Sequence, residues 1–171
     1  FAKKIGVTLV SLVRCEERRT ELINFGAGEV WIDDDEVPER AKELTRGKGC
    51  VLGLNSVGGP SALRIARSLG EGGVHVTFGA MDGSPVRFPT RSLIFDDVRF
   101  VGFWLDKWKR KQSPTGLRNA LEEVLQPLAL TEISYPVDKI FGLHEFEQAL
   151  TRNAESRMGK VLLAREKDSL D

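Results

Sequence analysis

Residues 50–81 read CVLGLNSVGGPSALRIARSLGEGGVHVTFGAM, and their pattern decides the fold. Residues 50–54 (CVLGL) form an apolar run bounded by turn residues, the mark of a buried strand. The NSVGG of 55–59 is a tight turn. Pro60 stands where a first helical turn tolerates a missing N–H, and residues 60–69 continue as a helix that Gly70 ends. Residues 73–78 (GVHVTF) return to a strand. Strand, short glycine-rich joint, helix and strand make a βαβ unit, which places the two strands parallel.

The alternation extends in both directions. Upstream, residues 5–13 (IGVTLVSLV) are apolar and β-branched and predict a buried strand. Residues 14–25 predict a helix with Leu22, Ile23 and Phe25 on its apolar face, ended by Gly26 and Gly28. Residues 29–32 (EVWI) are a short strand and 37–45 a helix. Downstream, residues 88–95 suit a helix and 98–105 (VRFVGFWL) a strand. The charged run 107–113 is expected to be a surface loop. Residues 114–128 carry Leu117, Leu121, Val124, Leu125 and Leu128 at helical spacing. Residues 135–141 are extended, 144–151 a short helix, 160–164 (KVLLA) a closing strand and 166–171 a polar tail. The whole predicts an α/β fold with a doubly wound, mostly parallel sheet.

Composition bounds what such a fold does here. The chain has 171 residues, 41% hydrophobic and 29% charged, enough apolar material for a core. Its 25 basic and 25 acidic residues cancel, which does not suit a general nucleic-acid binder. Cys15 and Cys50 form no CxxC pair, and His75 and His144 are the only imidazoles. Neither a disulfide scaffold nor a zinc site is expected. The uncharged stretch 49–63 is broken by glycines, Asn55 and Pro60, so no membrane span is expected. The chain starts at Phe1 without a signal-like segment, and its start is expected to be a boundary rather than an initiation site.

Ligands of a doubly wound sheet bind beyond the carboxyl ends of its strands. Four segments should converge there: 14–19, 55–59, 79–81 and 104–108. Arginine after such a strand can hold a ribose 2′-phosphate through its planar fork of donors. Arg14, Arg18 and Arg19, set beside Glu16 and Glu17, fit that role or a solvated, ion-paired helix start. Gly58, Gly59, Gly79 and Gly83 admit close ligand approach or merely punctuate turns. Trp104 and Trp108 are packing residues on the same footing. His75 is expected to be structural, and His144 to cap a helix. The acidic run 33–36 looks superficially like a Mg²⁺ cluster, but a helix N-terminus explains it. No nucleophile elbow, phosphate-binding loop or Gly-rich first βα turn is present.

Taken together, Val13-Arg14, the LNSVGG of 54–59, the VTFGAM of 76–81, the GFWL of 102–105 with Trp108, and the SRMGKVLL of 156–163 resemble a known family. They resemble the C-terminal part of trans-2-enoyl-thioester reductases, mitochondrial enoyl-CoA and enoyl-ACP reductases of the medium-chain dehydrogenase/reductase superfamily. The resemblance implies NADPH as cofactor and reduction of the 2,3-double bond of an enoyl thioester of CoA or acyl-carrier protein. It further implies a homodimer and a mitochondrial location, with the cytoplasm as the alternative. By resemblance, Arg14, Cys15 and Glu16 form the 2′-phosphate loop. Phe78, Gly79, Ala80 and Met81 line nicotinamide and ribose, Phe103, Trp104 and Leu105 meet the nicotinamide end, and Lys160 reaches the cofactor from the closing strand. Glu16 departs from a family position that is often basic, so Arg18 or Arg19 is expected to assist Arg14.

The same resemblance implies a Rossmann-type domain lacking the family's first, central strand. Residues 1–130 are then a partial NADP-binding domain and 131–165 a segment that in the family returns to the catalytic domain. The family's catalytic tyrosine has no counterpart here, so no catalytic residue is assigned and the chain alone is expected to be inactive. In strand order 3-2-1-4-5-6, the second and fourth strands lose their shared neighbour. Either they pair directly, or another chain supplies the strand, or residues 1–171 are part of a longer polypeptide. A non-catalytic interaction module and a quinone oxidoreductase of the same superfamily are the alternatives in function.

Overall fold

The computed structural model describes residues 1–130 and 135–165, so the polar tail expected at 166–171 lies outside the described residues. The chain divides into two compact units, Thr8–Leu117 and Phe1–Val7 with Arg118–Asp171.

In the first unit the elements are β1 (Val10–Val13), α1 (Glu16–Asn24), β2 (Glu29–Ile32), α2 (Val37–Leu44), β3 (Cys50–Asn55), α3 (Gly59–Arg67), β4 (Leu69–Thr77), α4 (Thr90–Phe95), β5 (Arg99–Gly102) and α5 (Leu105–Lys111). β1 and β2 pair in parallel as one sheet. β3, β4 and β5 form a second parallel sheet in that order. This is the expected Rossmann-type α/β arrangement of parallel strands joined by helices. Among the described residues no strand pairs with the second side of β1 or of β3.

The β3–α3–β4 unit is the tightest part. Ala62 and Ala66 on α3 are fully buried, small enough to bring the helix down onto the sheet. Gly53 completes the fit, because a Cβ there would lie 2.4 Å from Ile65 Cγ2. By contrast α1 buries no residue, and α2 buries Val37, Pro38 and Ala41. The two sheets are bridged through Arg64 of α3. Its Nε donates to Asp35 Oδ1 at 2.9 Å and its Nη1 to Asp33 Oδ1 at 3.3 Å. Burial opposes the Arg64 charge, but the two aspartates more than offset it and raise the pKa.

α6 (Pro114–Ala129) begins in the first unit, and the other unit holds its remainder and β6 (Val137–Gly142). A 3₁₀ turn at Leu143–Glu145 and α7 (Phe146–Ala154) then connect β6 to its parallel partner β7 (Lys160–Ala164). Arg152 grips Asp138 with two parallel hydrogen bonds of 2.7 and 2.6 Å and takes Glu155 with its third nitrogen at 2.7 Å. The hydrogen bond from Arg152 holds the Asp138 carboxyl below the usual carboxylate range.

Five local expectations change. The first strand is shorter than 5–13, because the chain folds back over 1–7, with Val7 N donating to Ala2 O at 2.9 Å and Gly6 at φ +69°. The expected strand 98–105 ends at Gly102, and the charged run after it is α5 rather than a loop. Asp106 in its first turn and Lys109, Arg110 and Lys111 in its last suit the helix dipole. The turn after β6 is capped by Glu145, whose Oε2 accepts from Gly142 N at 2.8 Å, and not by His144. β4 starts earlier than expected, with Leu69 already opposite Cys50.

Candidate cofactor-facing edge

Parallel pairing brings the carboxyl ends of β3, β4 and β5 to one edge, and main-chain hydrogen bonds stitch the loops there together. Phe78 N donates to Asn55 O at 2.9 Å, Met81 N to Ser56 O at 3.3 Å and Asp82 N to Val57 O at 2.8 Å. Phe103 N donates to Thr77 O at 2.8 Å, which draws the loop after β5 into the same edge. Gly79 permits the approach, since a Cβ there would lie 2.7 Å from Ser56 O. At Gly59, where φ is +52°, a Cβ would lie 1.8 Å from Asp82 Oδ2. The Asp82 carboxylate thus sits against the start of α3, where the helix dipole favours negative charge.

The side chains on this edge are apolar and open. Phe78, Met81, Phe103, Trp104 and Leu105 are all exposed, Met81 to 77% and Trp104 to 60%. Such an edge offers a flat or aromatic ligand something to cover. Arg110 lies over the Trp104 ring, its guanidinium carbon 5.3 Å from the centroid.

Arg14 stands just after β1, exposed, and its guanidinium makes no hydrogen bond or ion pair among the described residues. The other two arginines are engaged. Arg19 Nε donates to Val30 O at 3.0 Å and its Nη1 to Glu16 Oε1 at 2.9 Å. Arg18 pairs with Glu21. The Cys15 thiol hydrogen-bonds the Glu17 carboxylate and lowers its pKa. Of the cluster, Arg14 is the cation left available to an incoming anion. No hydrogen bond joins residues 14–16 to the loops after β3 and β4 among the described residues. Lys160 opens β7 in the other unit and is exposed.

The acidic run 33–36 is structural. Asp33 and Asp35 hold Arg64, and Asp34 Oδ1 accepts from Glu36 N at 3.0 Å and from Arg40. His75 is buried, as expected of a structural residue, and Asn55 beside it is the residue that sequence reasoning passed over. Asn55 Oδ1 accepts from Val57 N at 3.1 Å and Gly58 N at 2.9 Å. The signal was present: an asparagine closing a strand, followed by two residues and a glycine pair, is an Asx-turn pattern.

The zinc-binding dehydrogenase family matches residues 1–125. The mitochondrial enoyl-[acyl-carrier-protein] reductase of Dictyostelium discoideum is 28% identical over 95% of this chain and 48% of the relative. That of Yarrowia lipolytica is 32% identical over 92% of this chain and 46% of the relative. The chain therefore spans about half the length of these curated relatives. Among solved structures, an Etr1p variant in complex with NADP and crotonyl-CoA superposes with a TM-score of 0.75 at 25% identity, over 90% of this chain and 46% of that one. A mycobacterial quinone oxidoreductase superposes with a TM-score of 0.79 at 24% identity, over 95% of this chain and 51% of that one, a likeness of fold. The matching family's description carries a metal. Among the described residues no three His, Cys, Asp or Glu side chains come together as a ligand set for it. No described helix is long and apolar enough to cross a membrane.

Proposed function

The chain belongs to the zinc-binding dehydrogenase family, and from that premise we propose that it is the cofactor-domain portion of an NADPH-dependent enoyl-thioester reductase. When bound, NADPH supplies the hydride for Cβ of the 2,3-double bond, with a proton going to Cα. The observation that carries the reading is the stitched edge, an exposed apolar surface built from the loops after β3, β4 and β5. Phe78, Gly79, Ala80 and Met81 face the nicotinamide and ribose, and Phe103, Trp104 and Leu105 meet the nicotinamide end. Arg14, with Cys15 and Glu16 following it, reads the 2′-phosphate. Arg14 suits that task because its guanidinium is exposed and unengaged, and a dianion can take two of its donors at once. The substrate is an enoyl thioester of acyl-carrier protein or CoA and the compartment the mitochondrion, following the names of the relatives and of the crotonyl-CoA complex, and the assembly is a dimer by the family resemblance.

The test is a titration of the chain with NADPH and NADH, following Trp fluorescence. Tighter binding of NADPH is expected, and Arg14→Gln should cut that preference by about tenfold, the loss of one charge-assisted fork. Equal binding of the two nucleotides would sink the role of Arg14, and binding of neither would sink the cofactor reading. Crotonyl-thioester turnover is not expected from the chain alone.

A second reading, a non-catalytic interaction module, is favoured by the unpaired sides of β1 and β3, which offer main-chain hydrogen bonds to an added strand. Turnover of enoyl thioester by the polypeptide carrying a tyrosine-bearing domain separates the two. Turnover of quinone instead would assign the chain to the third alternative.

A further inference from the structure

We propose that Asn55 is a positioning residue that locks the loops 55–59 and 78–82 into one geometry, with its own orientation set through Thr77 and His75. The proposal deepens the cofactor reading, because these loops carry the nicotinamide-facing residues.

Asn55 and His75 are the largest fully buried side chains, at 1% and 0% exposure, and both are polar. They lie on adjacent parallel strands, and Thr77 sits opposite Asn55 in the ladder. His75 Nε2 lies 3.2 Å from Ala62 O. A carbonyl only accepts, so Nε2 carries the proton and Nδ1 is left with a lone pair. Thr77 Oγ1, 3.4 Å from Nδ1, must then donate to it. That hydroxyl in turn accepts from Asn55 Nδ2 at 3.2 Å. With its NH₂ committed there, the amide presents Oδ1 to Val57 N and Gly58 N. Each link sets one donor on one acceptor from α3 to the turn, and the chain has one polarity. A flipped Asn55 would set its NH₂ against two N–H groups. Burial keeps His75 neutral by lowering its pKa, as the accepting Nδ1 requires.

Asn55 also holds the second loop. Its main-chain oxygen accepts from Phe78 N, and the two residues after it accept from Met81 and Asp82. Rotation of one buried amide would therefore release both loops. A purely structural role would instead spread its effect over the β3–β4 ladder.

The experiment uses the 171-residue chain with Thr77→Val, which keeps the shape and removes the hydroxyl, and Thr77→Ser, which restores it. Amide hydrogen exchange and NADPH titration are run together. Exchange at Val57, Gly58, Met81 and Asp82 is expected to quicken at least about tenfold in Thr77→Val, with Leu52, Val74 and Val76 unchanged, and to recover in Thr77→Ser. The NADPH dissociation constant should rise about fivefold and recover likewise, as loop ordering is charged to binding. Should Thr77→Val fail to fold, Thr77→Ala removes the same hydroxyl and carries the same expectation. Uniform quickening, or none, overturns the proposal. Loosened loops in a chain whose wild type binds no NADPH uphold the positioning and remove the cofactor reading. Loosened loops with unchanged NADPH affinity overturn the link between them.

Discussion

Residues 8–45 and residues 50–82 repeat one plan, strand then helix then strand, yet they are held by different forces. The second region is closed by fit and by buried polar pairing. Gly53, Ala62 and Ala66 let α3 sink onto the sheet, and the Asn55–Thr77–His75 chain satisfies the polar groups beneath it. The first region has a helix with no buried residue and ion pairs that face water. It is tied to the rest by Arg64 reaching Asp33 and Asp35 and by the buried Val37, Pro38 and Ala41 of α2. The difference teaches where this domain is self-sufficient. β3 has β4 to one side and α3 packed against it, whereas among the described residues β1 has β2 as its one strand partner. A two-stranded sheet covered on the scale of α1 is marginal without a further neighbour.

The largest expected effect attacks the tight region directly. Gly53→Val drives a side chain into Ile65 and should cost about 3 kcal/mol by urea denaturation, the upper range for overpacking. A loss under about 0.5 kcal/mol would mean that α3 is not seated as described. Next comes pH. His75 has a lowered pKa in the fold, so the unfolded chain binds the extra proton as pH falls below about 6.5. Stability should therefore fall on going from pH 7.5 to 5.5, with a slope no steeper than about 1.4 kcal/mol per pH unit, the one-proton limit. His75→Gln should flatten that slope, and an unchanged slope would assign it elsewhere.

Arg64→Ala should cost about 1 kcal/mol, since the pairs are only partly screened from water. The sharper readout is local: hydrogen exchange should quicken across residues 8–45 and stay slow at β3 and β4. Equal quickening in both regions would erase the comparison. Smallest of all, Lys42→Ala removes an exposed pair with Glu39 and should shift stability by only about 0.3 kcal/mol. A loss above about 1 kcal/mol would show that surface pairs carry the first region.

Much of this architecture is legible in the residues. The periodic apolar runs, Pro60 and the glycines mark β3, α3 and β4 within a few positions, because each reflects local backbone preference. EVWI and KVLLA match β2 and β7 residue for residue. The misses fall where local signals compete. Residues 107–113 look like a solvated charged loop, but their charges are ordered along a helix dipole, which composition conceals. Residues 5–9 are β-branched and apolar, yet they have no ladder partner, and Gly6 turns them away. The three arginines near position 14 look equivalent until Arg18 and Arg19 are seen engaged with Glu21 and Glu16.

The sequence by itself determined the alternation of elements, the parallel order and the family, since these follow from short-range patterns and from motifs that survive in order. Only the tertiary structure decided which groups are spent and which are free. Hydrogen bonding is a matter of distance and direction between residues far apart in sequence, such as Asn55 and Thr77 or Asp33 and Arg64. No linear pattern records whether a buried donor has found its acceptor, and that pairing sets the edge on which the proposed cofactor lies.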